Sequence, residues 1–245
     1  MERPVKPASL IELLKREKDS HLLGGIYERV QIDLTYNSNH IEGNCLTHGQ
    51  VCQIFETNTI GLADETVKVD DIVETANHFR CIDRMIEDSG HLLSETWIKQ
   101  VHGILKNGTT DSRQSWFAVG QYKKLPNEVG GHPTTSPEEV PERMKALLKT
   151  YNSLSEKTLE NLLQFHVDFE RIHPFQDGNG RVGRLILFKE CLRSGIVPFI
   201  ITDEMKFYYY RGLQEWDAEK GYLTDTCLAA QDQFKKTLDY FRISY

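Results

Sequence analysis

The sequence lacks the features of secreted and membrane-spanning proteins. No apolar run is long enough to cross a bilayer, and no basic-then-apolar leader opens the chain. The cysteines are scattered, odd in number and without any Cys-x-x-Cys pair, which argues against a zinc site or a disulfide framework. They are Cys45, Cys52, Cys81, Cys191 and Cys227. We therefore expect a soluble cytoplasmic protein in a reducing compartment.

An excess of positive charge is also missing. The 245 residues include 29 lysines and arginines against 36 acidic residues, which gives a net charge of −7. No basic stripe with interleaved aromatic residues is present, so we expect neither a nucleic-acid partner nor a membrane partner. The length suits one sizeable domain with its own hydrophobic core.

Helical periodicity runs through nearly the whole chain. Apolar residues recur at three- to four-residue intervals over residues 69–86, and a second such helix follows Ser94, which is placed to cap it. Ser136-Pro137 is typical of the start of a third helix, and residues 159–171 form a fourth. These patterns predict an all-α fold, a single compact helical domain.

The exception to the helical pattern is the stretch 117–132. Short extended runs at residues 119–122 and 128–129 flank a turn-prone centre, Leu125-Pro126-Asn127. We interpret the stretch as a small β-hairpin in an otherwise helical domain. Composition alone leaves a plain surface loop open as the alternative.

The most informative run is residues 173–184, His-Pro-Phe-Gln-Asp-Gly-Asn-Gly-Arg-Val-Gly-Arg. Gly178 and Gly180 permit backbone conformations in which successive N–H groups point outward, which suits a phosphate cradle. Helical spacing resumes after Gly180, so the cradle lies at a helix N-terminus, where unpaired amides and the helix dipole attract an anion. Arg181 and Arg184 emerge on one face of that helix. The run therefore predicts a polyphosphate site.

Two side chains of this run carry acid–base or metal chemistry. His173 titrates near neutral pH and lies just before the cradle, so it is the candidate general base for a hydroxyl nucleophile. Asp177 is the one carboxylate of the run, and a carboxylate beside phosphates is the expected ligand of Mg²⁺. Capping of the following helical turn is an alternative role of Asp177, and the two roles are compatible.

The run matches every specified position of the signature His-x-Phe-x-(Asp/Glu)-Gly-Asn-Gly-Arg-x-x-Arg and so resembles the Fic family. Fic proteins transfer AMP from ATP to a hydroxyl side chain of a target protein, whereas a branch with lysine at the position of Gly180 acts as a kinase. The resemblance implies a protein adenylyltransferase with ATP as substrate, His173 as catalytic base and Mg²⁺ on Asp177. The nucleotide would be held by Asp177, Gly178, Asn179, Gly180, Arg181, Val182, Gly183 and Arg184.

The same resemblance assigns the segments around the site. The stretch 117–132 would be a flap that holds the modified segment of the target by strand addition. Tyr209 and Tyr210 match tyrosines that line the adenine pocket in the family, while periodicity alone equally predicts packing residues. Asp217 stands where the family usually has asparagine. The flap residues that would touch the nucleotide are Val129, Gly130, Gly131 and His132.

A second motif, Ser38-Asn39-His40-Ile41-Glu42-Gly43, ends an apolar helical stripe. Ser38 and Glu42 share one helix face, and a glutamate in the last turn opposes the helix dipole unless a cation is near. By spacing alone, an exposed glutamate that solvates a helix end is an equal alternative. The motif resembles the inhibitory sequence (Ser/Thr)-x-x-x-Glu-(Gly/Asn) that accompanies Fic domains. That resemblance implies self-inhibition, in which Glu42 pairs with Arg184 and blocks the γ-phosphate position.

The expected organisation follows from these two motifs. We expect N-terminal helices in residues 1–60, with the inhibitory helix at about residues 26–44, and a Fic catalytic core in residues 61–245. Two other functions stay open: removal of AMP from a modified protein at the same site, and a nucleotide-sensing binding module with negligible turnover. The sequence specifies neither the protein target nor the oligomeric state, so a homo-oligomer also stays open.

Overall fold

The computed structural model describes residues 9–61 and 66–245. These residues form ten α-helices and one exposed two-stranded antiparallel sheet, which confirms the predicted helical fold with a small hairpin. Residues 1–8 of the predicted N-terminal segment and residues 62–65 of the predicted core lie outside the described residues. The helices are α1 (Leu10–Ser20), α2 (Ile26–Ile41), α3 (His48–Thr57), α4 (Val69–Glu87), α5 (Glu95–Leu105), α6 (Val140–Ser153), α7 (Leu159–Ile172), α8 (Asn179–Ser194), α9 (Lys206–Gln214) and α10 (Gly221–Tyr240), and the strands are β1 (Glu128–Val129) and β2 (His132–Pro133).

The helix α8 lies at the centre of the domain. Thirteen of its sixteen residues are buried, so it is covered on all sides rather than along one stripe. It packs against α7, α4, α2 and α5. The main hydrophobic core contains Leu14 of α1 and Val30 of α2 together with Phe188 of α8. The helices α1 and α2 thus share one core with the later helices. The division of the chain between residues 60 and 61 stays a prediction. No helix of the described ranges is long and apolar enough to span a membrane.

The hairpin pairs differently from the prediction. Strand β1 pairs with β2, with Val129 opposite His132, around the two-residue turn Gly130-Gly131. Both glycines have a positive φ, 58° and 78°, which this kind of turn requires. The run 119–122, expected as the first strand, is instead a loop. The backbone N–H just after this loop, that of Lys123, donates to Pro174 O at 2.8 Å, so the chain follows the signature loop there.

The helix α6 begins at Val140, three residues later than a cap at Ser136 would predict. The carbonyl of Ser136 accepts hydrogen bonds from the N–H groups of Glu139 and Val140 within a turn, at 3.0 and 3.2 Å. Pro141, rather than Pro137, then lies in the first helical turn. Either proline is compatible with a helix start, because the first N–H groups of a helix have no intrahelical partner.

We expect Gly212→Ala to destabilise the contact between α9 and α10. A Cβ at Gly212 would lie 2.6 Å from the Cα and 2.7 Å from the backbone N of Leu223. Because backbone atoms cannot easily move aside, the free energy of unfolding should fall by roughly 1–3 kcal/mol, measured by urea denaturation. Gly49→Ala in α3 is the matched control, since a Cβ there meets no atom within 4 Å. Equal loss of stability in the two variants contradicts the close approach.

Candidate active site

The helix α7 ends directly at His173. Its last helical residue is Ile172, and His173 takes the left-handed conformation with φ 50° and ψ 62°. The backbone N–H of His173 donates to Phe169 O at 2.9 Å, which closes the helix. A left-handed conformation is uncommon for residues other than glycine, asparagine and aspartate. The chain therefore turns sharply from α7 into the signature loop at the candidate base.

His173 has Nε2 as its basic nitrogen. Its Nδ1 lies 3.2 Å from the backbone carbonyl oxygen of Glu170. Because a carbonyl only accepts hydrogen bonds, Nδ1 carries the proton and Nε2 keeps a lone pair. Burial lowers the pKa of His173, and the hydrogen bond to Glu170 only partly offsets this effect, so the ring is neutral at pH 7. A neutral imidazole with a free Nε2 can accept a proton from a hydroxyl group.

The signature loop is closed by Asn179. Its side-chain Oδ1 accepts from the backbone N–H of Phe175 at 2.8 Å, and its Nδ2 donates to Phe175 O at 2.9 Å. Gly178 precedes α8 with φ 82°, a conformation that glycine adopts without a steric penalty. Since Val182 is the first residue whose N–H bonds back along the helix, to Gly178 O, the earlier N–H groups of α8 have no intrahelical partner. This geometry attracts an anion.

The carboxylate of Glu42 lies at this same N-terminus. The helix α2 ends at Ile41, and Glu42 is its C-cap. Glu42 Oε1 accepts from Arg184 Nη2 at 2.7 Å, and a Cβ at Gly180 would collide with the same oxygen. A glutamate of α2 therefore covers the first turn of α8.

Arg184 is held by α2 through three hydrogen bonds. Besides the bond to Glu42, its Nε donates to Ser38 Oγ at 3.0 Å and its Nη2 donates to Ser38 O at 2.8 Å. The structure thus brings Ser38, Glu42 and Arg184 together. The remaining nitrogen, Nη1, is buried without a hydrogen-bond partner in the part of the chain that the structure describes. Arg184 therefore keeps donor capacity for a ligand.

Asp177 belongs to a cluster of four charged side chains. Its Oδ2 accepts from Lys106 Nζ at 2.6 Å and from Arg181 Nη2 at 3.2 Å. Glu74 of α4 binds both of these cations. Burial opposes ionisation of Asp177, but Arg181 and Lys106 together outweigh it and lower the pKa of this carboxyl group to about 2. Sequence patterns did not identify Glu74 and Lys106, which lie far from the signature in the chain.

The residues around Asp177 fit a metal ion that arrives with phosphate ligands. The Asp177 side chain is 48% exposed, so one carboxylate is accessible. The described ranges contain no group of three His, Cys, Asp or Glu side chains that could hold a metal ion by themselves. In nucleotide sites, Mg²⁺ uses one or two carboxylates and completes its shell with phosphate oxygens and water. The role of Asp177 as a metal ligand stays a prediction.

His102 of α5 contacts the signature loop through its ring and both ring nitrogens. Its ring stacks on Phe175, with 3.9 Å between ring centroids. Its Nδ1 accepts from the N–H of Gly120 at 2.9 Å, so Nε2 carries the proton and donates to Asp177 O at 3.1 Å. Burial lowers the pKa of His102 to about 4, more than the hydrogen bond to Asp177 raises it, so the ring is neutral.

Lys123 joins the base of the hairpin to the signature loop. Its Nζ donates to Asn127 Oδ1 at 2.7 Å and to Thr134 Oγ1 at 2.6 Å, and Asn127 Nδ2 donates to Phe175 O at 3.0 Å. Burial lowers the pKa of Lys123 to about 8. The predicted nucleotide contacts at the tip of the hairpin, residues 129–132, are exposed, and their role stays a prediction.

The two tyrosines predicted at the adenine pocket have different environments. Tyr209 is buried, and its hydroxyl lies 2.7 Å from His166 Nε2. Tyr210 is 38% exposed. The guanidinium carbon of Arg184 lies over the ring of Tyr209, 5.8 Å from the ring centre, so Tyr209 supports the Arg184 side chain. Asp217 forms an exposed ion pair with Arg171.

Glu170 is a buried carboxyl group that the sequence analysis did not identify. Its Oε1 lies 4.0 Å from His166 Nε2, and its Oε2 lies 4.0 Å from His173 Nδ1. A Cβ at Gly183 would press on both Glu170 and His166. Burial raises the pKa of Glu170 to about 8 despite the opposing charge of Arg184, so this group is protonated at neutral pH. The sequence contains one sign of this role, namely that Glu170 lies next to the apolar face of α7.

The central part of the chain matches a known protein family. Residues 92–190 match the Fic/DOC family. A Fic domain-containing signaling protein from Bacteroides thetaiotaomicron shares the fold with a TM-score of 0.70 and 26% identity, covering 94% of this chain and 90% of that chain. Fic-1 from Caenorhabditis elegans shares the fold with a TM-score of 0.71 at 19% identity, covering 95% of this chain and 72% of that chain. Residues 92–190 are therefore similar to the Fic/DOC family, and the fold of the chain is similar to that of these Fic proteins.

The relatives with a named activity are much longer than this chain. Protein adenylyltransferase fic-1 of Caenorhabditis elegans is 26% identical over 73% of this chain and 35% of its own length. Protein adenylyltransferase Fic of Culex quinquefasciatus is 24% identical over 94% of this chain and 47% of its own length. The chain therefore spans less than half of the length of either relative.

We expect Glu170→Gln to change the pH dependence of stability. Between the ordinary pKa of 4.5 and the folded pKa of about 8, the folded chain binds more protons at this site than the unfolded chain. The contribution of Glu170 to stability is therefore full below pH 4.5 and is lost as pH rises. Glutamine mimics the protonated acid at every pH, so the variant should gain on the order of 2 kcal/mol over wild type from pH 5 to pH 7.

Urea denaturation at several pH values measures this difference. Glu160→Gln is the matched control, because Glu160 lies on the same helix and is 61% exposed. Its difference from wild type should be flat over this pH range. A flat difference for Glu170→Gln as well would show that Glu170 is ionised in the folded protein.

Proposed function

We propose that this protein is a self-inhibited protein adenylyltransferase, which transfers AMP from ATP to a hydroxyl side chain of a target protein. The proposal rests mainly on His173, which is neutral and whose Nε2 can accept a proton. This residue lies one short loop before the N-terminus of α8, where the first N–H groups have no intrahelical partner. A base and an anion site in this order are what attack on a phosphate ester requires. The names of the relatives, protein adenylyltransferases at 24–28% identity, support the same reaction.

In this mechanism His173 activates the nucleophile. The hydroxyl group of the target gives its proton to His173 Nε2 while its oxygen attacks the α-phosphorus of ATP. The bond from that phosphorus to the bridging oxygen breaks, and diphosphate leaves with the electron pair. The N–H groups at the start of α8 and the guanidinium of Arg184 hold the phosphates during the attack. A Mg²⁺ ion held by Asp177 would neutralise part of the phosphate charge.

Glu42 is the proposed inhibitor of this reaction. Its carboxylate lies at the start of α8 and binds Arg184, where a terminal phosphate of ATP would otherwise bind. Two anions cannot share this position without repulsion. The Glu42 side chain is 29% exposed, so an incoming phosphate can reach the Glu42–Arg184 pair and compete for Arg184. Inhibition is therefore reversible in this proposal.

The hairpin β1–β2 is the proposed docking site for the target. Its residues are exposed, and Lys123 and Asn127 tie its base to the signature loop. An extended segment of the target that adds to its free edge would place a hydroxyl group near His173. All five cysteines are free, which supports a reducing, cytoplasmic location for the enzyme and its target.

Removal of AMP from a modified protein is the second candidate function. The position of the Glu42 carboxylate favours it, because the same carboxylate that hinders ATP could orient a water molecule at the α-phosphorus. The two functions respond differently to loss of Glu42: transfer rises, whereas removal of AMP stops. One set of variants therefore separates them.

We expect Glu42→Gly to raise the labelling of protein by ATP labelled in its α-phosphate, by roughly tenfold or more at saturating ATP and Mg²⁺. Loss of the carboxylate frees Arg184 and the first turn of α8 for the nucleotide. Glu56→Gly, a change in the last turn of α3, controls for added backbone freedom. Equal labelling by wild type and Glu42→Gly would falsify the inhibitory role.

We expect His173→Ala in the Glu42→Gly background to abolish labelling while ATP still binds. The base acts on the incoming hydroxyl group, whereas the phosphates are held by α8 and its arginines. Labelling should fall by a factor of about 100 or more, and calorimetry should give an ATP affinity within a factor of about 3 of the parent. His91→Ala, a change at an exposed position, is the control. A collapse of ATP affinity together with activity means that His173 is structural.

A further inference from the structure

The ammonium group of Lys106 lies among three carboxylates. Lys106 caps the end of α5 and is 2% exposed. Its Nζ lies 2.6 Å from Asp177 Oδ2 and 4.0 Å from Asp111 Oδ2, and it also binds Glu74 Oε1. The three acids come from three separate segments: α4, the turn at 111–113 and the signature loop. A buried cation is therefore already present beside the predicted metal ligand.

The charges at this place nearly cancel because of Lys106. Glu74, Asp111 and Asp177 carry three negative charges, and Lys106 and Arg181 carry two positive charges, so the group has a net charge of −1. Without Lys106 the net charge would be −2, and the space left by its Nζ would lie next to carboxylate oxygens of Glu74 and Asp177. Oxygen ligands with excess negative charge are what divalent metal ions prefer.

We propose that Lys106 is the resident cation of this site, which holds the Asp177 carboxylate in place and excludes free divalent metal until nucleotide phosphates bring a metal ion in. Delivery of the metal by the nucleotide rests on the proposed adenylyl transfer, whereas exclusion of free metal does not. Free Mg²⁺ loses its water shell reluctantly, so it competes poorly with a preformed ammonium–carboxylate contact. Phosphate oxygens of the nucleotide supply the further ligands that the metal ion needs, so the metal ion can then compete with Lys106 for Asp177.

Glu74 makes this exchange feasible. Asp177 can turn one oxygen to a metal ion, and Lys106 then stays paired with Glu74 in the interior. Arg181 binds Asp177 and Glu74 as well, so these two acids stay linked when Asp177 turns away from Lys106.

The test is a titration of the nucleotide-free protein with Mn²⁺, followed by the electron paramagnetic resonance signal of free Mn²⁺. Wild type should bind Mn²⁺ weakly, with a Kd near 1 mM or above, whereas Lys106→Met should bind it about tenfold tighter or more, since a nearby positive charge is removed. Addition of Asp177→Asn to Lys106→Met should abolish the gain. Lys106→Arg keeps the charge and should behave as wild type.

Lys99→Met is the matched control, because Lys99 also lies on α5 and pairs with a glutamate, Glu95, away from Asp177. It should leave the Mn²⁺ affinity unchanged. Equal Mn²⁺ affinity in Lys106→Met and wild type, with similar thermal unfolding, overturns the proposal. If Lys106→Met does not fold, tight Mn²⁺ binding by nucleotide-free wild type is the overturning result, and weak binding by both wild type and Lys106→Arg supports the proposal.

These outcomes are independent of the proposed reaction. The titration contains no ATP and no target, so absence of AMP transfer would remove the proposed function without changing the Mn²⁺ affinities. Conversely, normal AMP transfer together with tight Mn²⁺ binding by nucleotide-free wild type would contradict only the role proposed for Lys106.

Discussion

The start of α8 is the place on which the rest of the structure depends. A left-handed Gly178 and the side chain of Asn179 leave the first N–H groups of this helix without partners, and Glu42 covers them with a carboxylate. The arrangement sets the negative end of one helix, α2, against the positive end of another. A glutamate at the end of α2 is unfavourable for α2 alone but favourable for α8. The two helices therefore stabilise each other through this one side chain and Arg184.

The position of Glu42 depends on how α2 is placed along α4. Polar side chains on one face of α2 fix this placement: Gln31 Nε2 donates to Asp83 Oδ1 at 2.8 Å, and Thr35 Oγ1 lies 2.9 Å from His78 Nδ1. Gln31, Thr35 and His78 are fully buried, so a shift by one helical turn would leave several of these polar groups without partners. Apolar contacts tolerate such a shift more easily. Hydrogen bonds thus specify the register that brings Glu42 to Arg184.

The sequence allowed prediction of the features that are local in the chain. The signature run, the helix after it and the stripe at 69–86 each depend on residues a few positions apart, and the structure contains the expected helices. The contact between Lys106 and Asp177 was not predictable, because the two residues are 71 positions apart and no motif includes Lys106. The even more distant pair of Glu42 and Arg184 was expected only through the resemblance of two motifs to a known family. Local signals also failed where tertiary contacts compete: the run 119–122 follows the signature loop, and the turn after Ser136 delays α6.

The protein environment gives neighbouring groups of the site opposite protonation states. Near Asp177, two buried cations stabilise the ionised carboxylate and lower its pKa to about 2. Near Glu170, burial prevails over the charge of Arg184 and raises the pKa to about 8. His173 lies between these two groups in the chain, and burial keeps it neutral. At pH 7 the site therefore has a neutral base, His173, and an ionised carboxylate, Asp177. The protonated carboxyl group of Glu170 carries no negative charge that would hold a proton on His173 after the transfer.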